Sequence, residues 1–231
     1  MSTVLITGAN RGIGLELTRR YAAAGHRVLA CCRAPKSAEQ LAGLAAETKN
    51  VRLCGVEVAK AASVAALKAE IGDQPIDILV NNAGMAGPPP QNQSLGNMDY
   101  DGWAEAFAVN TMAPFRILQT FRANLKAGTS PRTVAITSQF GAMAFDTPMM
   151  YAYSSTKAAL NKVMRIAAIE LAKDGIAVAV IHPGWVRTDM GGPQGQQSPE
   201  ESAAGIMSVI DALTVKTTGC FKKWTGDDHA W

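Results

Sequence analysis

Short runs that are apolar at every position alternate along this chain with longer, Ala-rich stretches of helical period. The runs around Ile78-Leu79-Val80 and Ile176-Ala177-Val178-Ala179-Val180-Ile181 show no polar alternation. A strand with one wet face alternates, whereas a strand covered on both faces does not. The pattern predicts strands at Ser2–Thr7, Arg27–Cys32, Val51–Val58, Ile76–Asn81, Thr133–Ser138, Ile176–His182 and Gly219–Trp224. Helices are expected between them, at Gly12–Ala24, Ser37–Thr48, Ala61–Ile71, Asp99–Lys126, Tyr151–Lys173 and Pro199–Leu213. Strand and helix in strict turn require right-handed crossovers, hence an α/β fold: one doubly wound parallel sheet of about seven strands with helices on both faces. No repeat or linker divides residues 1–231, so a single domain is expected.

Composition narrows the partners. Hydrophobic residues make up 48% of the 231 positions and charged ones 18%, enough apolar material for a large core. A net charge of +3, with Lys and Arg scattered, gives no basic stripe for nucleic acid. Cys31, Cys32, Cys54 and Cys220 form no CxxC pair and no zinc-like spacing with His26, His182 or His229, so no metal is expected. Adjacent Cys31 and Cys32 would point to opposite faces of one strand as buried, reduced thiols. The chain enters a strand from Ser2 onward, and no apolar stretch approaches the roughly 18 residues of a membrane span. A cytoplasmic protein is the expectation.

The first strand runs into Thr7-Gly8-Ala9-Asn10-Arg11-Gly12-Ile13-Gly14 and then an amphipathic helix. Glycines at that place let the backbone turn tightly and approach a pyrophosphate, whose charge meets a helix N-terminus. A site built for NAD carries an Asp or Glu about 20 residues later, bonded to the ribose 2′-hydroxyl. Here the second strand ends Cys31-Cys32-Arg33 with no carboxylate nearby. Arg33, with Arg11 from the loop, would clamp a 2′-phosphate, which favours NADP(H) over NAD.

The run Tyr151-Ala152-Tyr153-Ser154-Ser155-Thr156-Lys157 carries the candidate chemistry. On a helix, Tyr153 and Lys157 lie about 40° apart and share a face, while Tyr151 and Lys157 lie about 240° apart. Geometry therefore selects Tyr153 as a phenol beside an ammonium, an arrangement expected to lower the phenol's pKa. Ser138 ends a strand at the edge where such sheets bind ligands, placed to hydrogen-bond a substrate oxygen. Asn110 lies inside the Asp99–Lys126 helix ahead of Pro114, where a kink would free a carbonyl and hold water.

These residues together resemble the short-chain dehydrogenase/reductase family over essentially the whole chain, and within it the sniffer and C-factor-like carbonyl reductases. The resemblance rests on Thr7-Gly8-x3-Gly12-x-Gly14, Asn81-Asn82-Ala83-Gly84, Asn110, Ser138, Tyr153, Lys157 and Pro183-Gly184 with Val186 and Thr188. It implies a Rossmann-type fold with strand order 3-2-1-4-5-6-7 and association into a homodimer or homotetramer through the helices carrying Asn110 and Tyr153. It implies a catalytic set of Asn110, Ser138, Tyr153 and Lys157, with Lys157 also reaching the nicotinamide ribose and Asn110 holding a relay water. It implies cofactor contacts from Gly8, Asn10, Arg11, Gly12, Ile13, Gly14, Arg33, Glu57, Val58, Asn82, Ala83, Gly84, Pro183, Gly184, Val186 and Thr188. Two positions depart from the family pattern. Glu57 stands where an Asp usually lies beside the adenine, and Ser138 to Tyr153 is slightly longer than the common spacing.

The implied activity is reduction of a small ketone or aldehyde by hydride transfer from NADPH, with Tyr153 as proton donor. A nucleotide-binding regulator with little turnover, and a signalling protein, stand as alternatives. Substrate walls are expected from loops 84–98, 139–150 and 184–198, which supply Met85, Phe140, Met143, Phe145, Met149, Trp185 and Met190 as apolar lining.

Overall fold

Parallel pairing dominates the architecture because nearly every strand is followed by a helix that must cross back over the sheet. The computed structural model describes residues 1–146 and 149–231. Its strands are β1 (Thr3–Thr7), β2 (Arg27–Cys32), β3 (Val51–Gly55), β4 (Ile78–Asn81), β5 (Arg132–Ile136), β6 (Ala177–His182) and β7 (Cys220–Lys223). They form one seven-stranded sheet in the order β3-β2-β1-β4-β5-β6-β7, parallel at every pairing. The helices are α1 (Gly12–Ala23), α2 (Glu39–Glu47), α3 (Ala61–Ile71), α4 (Tyr100–Phe107), α5 (Ala113–Lys126), α6 (Tyr151–Leu171) and α7 (Pro199–Ala212).

The side-chain period of two sorts each strand between two cores. Ile6, Ala30 and Cys32 face one layer, with Leu17 and Tyr21 of α1, Leu41 of α2 and Ile206 of α7. Leu5, Leu29 and Cys31 face the other, with Leu67 of α3, Phe121 of α5 and Met164 of α6. Cys31 and Cys32 therefore do sit on opposite faces as free thiols.

Three expectations need correction. The third strand ends at Gly55, not Val58, because beyond Val56 the main chain turns toward α3 and the Glu57 N–H bonds the Ser63 hydroxyl at 2.9 Å. The expected helix Asp99–Lys126 is interrupted by a π turn at Ala108–Met112, which places the distortion ahead of Pro114. Pro114 follows that turn within a continuous helical run, where its missing N–H leaves the ladder one bond short. Loop 84–98 is not wholly irregular, since Gln93–Ser94 pairs antiparallel with Asn97–Met98.

The loops after β1, β4, β5 and β6 all leave the carboxyl edge of the sheet. The chain crosses to opposite sides of β1, with β2 on one flank and β4 on the other, which opens a crevice above that edge. No helix among the described residues is long and apolar enough to cross a membrane.

Candidate active site

The crevice above β1 and β4 is built from backbone. Gly8 and Gly12 adopt φ of +67° and +52°, in the left-handed region that favours glycine. A Cβ on Gly14 would overlap the Gly8 carbonyl oxygen and lie 2.5 Å from Asn82 Nδ2. Asn82 holds the turn by donating from Nδ2 to the Thr7 and Gly8 carbonyls, both at 3.0 Å. The Thr7 hydroxyl accepts the main-chain N–H groups of Asn82 and Ala83.

Arg11 precedes α1 in extended conformation, and among the described residues no side chain caps this helix and no carboxylate lies in its first turn. By contrast, α7 begins with a full Ser198–Glu201 capping box and α4 with Asp99. The bare N-terminus, with a glycine cradle that a side chain would fill, fits the pyrophosphate of a dinucleotide.

Arg33 is exposed at the end of β2 and makes no ion pair among the described residues. Arg11 is not free in the way the sequence suggested: its guanidinium pairs with Asp189 of loop 184–198. Both side chains are more than half exposed, so solvent screens that contact. Glu57 pairs with Lys60 at 3.3 Å, and Val58 is partly buried against the core. Asn10 is partly buried in the loop, and Ile13 packs on the core beneath it.

Facing this crevice stand the four candidate catalytic residues. Asn110 lies in the π turn, fully buried, and its Oδ1 accepts Met85 N at 2.9 Å. Its Nδ2 donates to Met85 O and to Thr156 Oγ1 at 2.8 and 3.0 Å. Asn110 thus pins loop 84–98 to α6. A Cβ on Gly84 would lie 3.3 Å from Asn110 Oδ1 and 3.6 Å from Lys157 Nζ, so these three groups converge.

Lys157 is buried and donates to Ile136 O at 2.9 Å, with Nζ 5.7 Å from the Tyr153 ring centre. Burial lowers its pKa to about 8. Ser138 follows β5, accepts Phe140 N at 3.2 Å and lies beside Tyr153. Tyr151 points outward and is 43% exposed.

The expectation that Lys157 lowers the Tyr153 pKa is overturned. Burial raises it, and hydrogen bonding to Ser138 only partly offsets the rise. The ammonium sits beside the ring and spends a donor on Ile136, while packing around the partly buried phenol withdraws much of its water. Tyr153 is therefore held as a neutral phenol.

On the third side, Gly184 has φ +86°, and a Cβ there would lie 2.6 Å from Gln197 Oε1. The Pro183 carbonyl accepts the Ser202 hydroxyl at 2.7 Å. Val186 is buried and bridges Gln197, while a Cβ on Gly12 would lie 3.0 Å from Thr188 Cγ2. Loop 184–198 thus reaches across the crevice to the glycine loop.

A cavity of about 310 Å³ beside α6 collects Phe140, Met143, Phe145 and Met149 with Tyr151 and Ser154. Met85, Trp185 and Met190 do not line it. Thr147 and Pro148 of the predicted loop 139–150 lie outside the described residues.

Sequence reasoning missed three polar residues around this site. Thr156 bridges Asn110 to Tyr153 O. Asn161 joins Thr137 Oγ1 to Gly141 O. His182 Nδ1 accepts Gln139 N at 3.2 Å. Thr156 lies inside the Tyr153–Lys157 run and His182 directly before Pro183, but only the fold shows what they bond.

His182 also makes stability depend on pH. Burial, then His229 and Lys223, push its pKa from 6.5 down to about 4. The unfolded chain then takes up a proton before the folded one. Stability is fully present above pH 6.5 and falls as pH drops toward 4, by about 2–3 kcal/mol. Urea unfolding from pH 7 to 4.5 should show this loss, and His182→Asn should remove it.

The model for the short chain dehydrogenase family matches residues 2–199. C-signal of Myxococcus xanthus is 36% identical over 158 residues, covering 68% of this chain and 93% of that protein. An NADPH-bound carbonyl reductase from chicken fatty liver superposes with a TM-score of 0.92 at 31% identity, covering 100% of this chain and 99% of that one. The Drosophila melanogaster carbonyl reductase Sniffer gives 0.90 at 26% identity over the full length of both chains. The chain belongs to the short-chain dehydrogenase family.

Proposed function

We propose that this protein reduces a ketone or aldehyde to an alcohol with NADPH. The observation that carries the reading is the Tyr153 ring set beside Ser138 with Lys157 Nζ 5.7 Å from its centre, one helical turn away, where burial keeps the phenol protonated. A phenol kept protonated is in the form that donates, so the site favours reduction near neutral pH. Ser138 orients the carbonyl oxygen, Tyr153 gives it a proton, and Lys157 supplies positive charge beside the phenol. Asn110 keeps loop 84–98 and α6 in register. NADPH, when bound, supplies the hydride. Gly8, Gly12, Gly14 and the start of α1 would hold its pyrophosphate, with Val186 and Thr188 near the carboxamide and Glu57 and Val58 near the adenine. The Phe140 ring, edge-on to Tyr153 at 6.2 Å, favours an apolar carbonyl compound; the cavity of about 310 Å³ touches none of the four catalytic residues.

Loss of NADPH absorbance with a panel of aldehydes and ketones tests the reading, and tight NADPH binding without turnover across that panel rejects it. The C-signal similarity favours a second reading, a cofactor-binding signalling protein, and that same negative result would support it.

Arg33→Asp should weaken NADPH binding at least about tenfold more than NADH binding, since a carboxylate would replace a phosphate partner. Titration of protein fluorescence with each nucleotide measures the two losses, and equal losses would remove the NADP assignment. Exposed Met112 at the end of the π turn, Phe115 in α5 and Ile166 and Ile169 of α6 further suggest self-association through these helices. Sedimentation equilibrium should then give a multiple of the 24.3 kDa chain mass.

A further inference from the structure

Pairing between β5 and β6 ends where Thr137 N donates to Ile181 O at 2.9 Å. Two residues further on, Gln139 N points at the same neighbouring strand but meets the His182 imidazole, whose Nδ1 accepts it at 3.2 Å. Ser138 lies between these two anchors. Its hydroxyl accepts Phe140 N and lies beside Tyr153.

The imidazole is itself fixed. The His182 carbonyl accepts Trp224 N at 2.8 Å, and the His229 ring meets the imidazole edge-on at 5.6 Å. His229 stacks on Phe221 at 4.3 Å. The next segment returns to the same loop, where the Trp231 carbonyl accepts Ala144 N at 3.1 Å. The loop that presents Ser138 is therefore tied at both ends by residues outside the catalytic set.

We propose that His182 is a positioning residue for Ser138: its Nδ1 lone pair replaces the strand carbonyl that Gln139 lacks, and so aims the serine hydroxyl at Tyr153 and the substrate oxygen. The inference rests on the role given to Ser138 above. It requires the neutral ring with its proton on Nε2, because a proton on Nδ1 cannot accept.

His182→Leu removes the acceptor, and His182→Asn keeps one, since Asn Oδ1 occupies much the same place as Nδ1. The leucine variant should lose about tenfold in kcat for a ketone reduced by the wild type, because a misaimed donor acts mainly at the chemical step. Its Kd for NADPH, read by fluorescence, should stay within about twofold, because the glycine loop is untouched. Hydrogen exchange at the Gln139 amide should speed up in the leucine variant and return toward the wild-type rate in the asparagine variant, together with kcat.

Full kcat in a folded leucine variant, or equal kcat losses in both variants, overturns the proposal. Nitrogen-15 shifts of the wild-type imidazole remain decisive even if the leucine variant fails to fold: a proton on Nδ1 overturns the proposal, and one on Nε2 supports it. Ser138→Ala separates the levels. If that change leaves kcat intact, the reading of Ser138 fails and this inference falls with it. If it lowers kcat while His182→Leu does not, only the inference fails.

Discussion

Replacing Tyr153 by Phe is expected to leave a folded protein whose carbonyl turnover has fallen by about 10²–10⁴. The change deletes one oxygen and keeps the ring that meets Phe140 edge-on at 6.2 Å, so packing is nearly preserved. Among the described residues the nearest other acid is Lys157, held back beside the ring by its bond to Ile136 O, and Ser138 is a far weaker acid than a phenol. Nor does the hydroxyl carry the fold: the hydrogen bonds of Tyr153 run through its main chain, whose N–H donates to Gln93 Oε1 and whose carbonyl accepts Thr156 Oγ1. Steady-state kcat with an active ketone, alongside thermal unfolding and NADPH affinity, checks the expectation. The fall should lie in kcat, with Tm and NADPH Kd nearly unchanged. A folded Phe variant that retains turnover would mean that the proton comes from elsewhere.

The elements that the sequence announces most clearly are those whose causes are local. Strands buried on both faces carry unbroken apolar runs, and the structure pairs Val4, Leu5 and Ile6 with β2 on one side and β4 on the other. Choosing between Tyr151 and Tyr153 needed only the helical period, and the structure sets Tyr153 toward Ser138 and Tyr151 toward solvent. Boundaries were less legible, as at Val56–Val58, where the strand runs out while the apolar pattern continues.

Charge was the least legible property. The phenol's pKa depends on how much water α6 and loop 139–146 exclude, which no spacing reveals. Arg11 reads as a free cation from its own neighbours, yet its partner Asp189 lies at the far end of the chain. Asn110 shows both limits: its place in a helix ahead of Pro114 suggested a distortion, but the π turn and the bonds to Met85 and Thr156 follow from packing against α6.

Gly14→Ala is expected to be among the costliest single methyl groups that could be added to this chain, and the one that strikes the nucleotide loop directly. Gly14 is buried in the first turn of α1, where the helix crosses the loop it has just left. The new Cβ would overlap the Gly8 carbonyl oxygen and approach Asn82 Nδ2 to 2.5 Å, a contact no carbon tolerates. Neither neighbour can yield cheaply. Gly8 is main chain at φ +67°, and Asn82 Nδ2 is already committed to the Thr7 and Gly8 carbonyls. Relief therefore means lifting the N-terminus of α1 off β1 and breaking the bonds that hold the turn. Overpacking of this kind costs about 3 kcal/mol or more, a fall in Tm of roughly 6–12 °C for a chain of this size. The same displacement turns the bare N–H groups of α1 away from the crevice, so NADPH affinity should fall by more than about tenfold even where the protein stays folded. Calorimetry and nucleotide titration on the purified variant measure the two effects separately. A variant that melts normally and binds NADPH normally would show that α1 does not seat against Gly8 and Asn82 as described, and the nucleotide site would have to be rebuilt around a different turn.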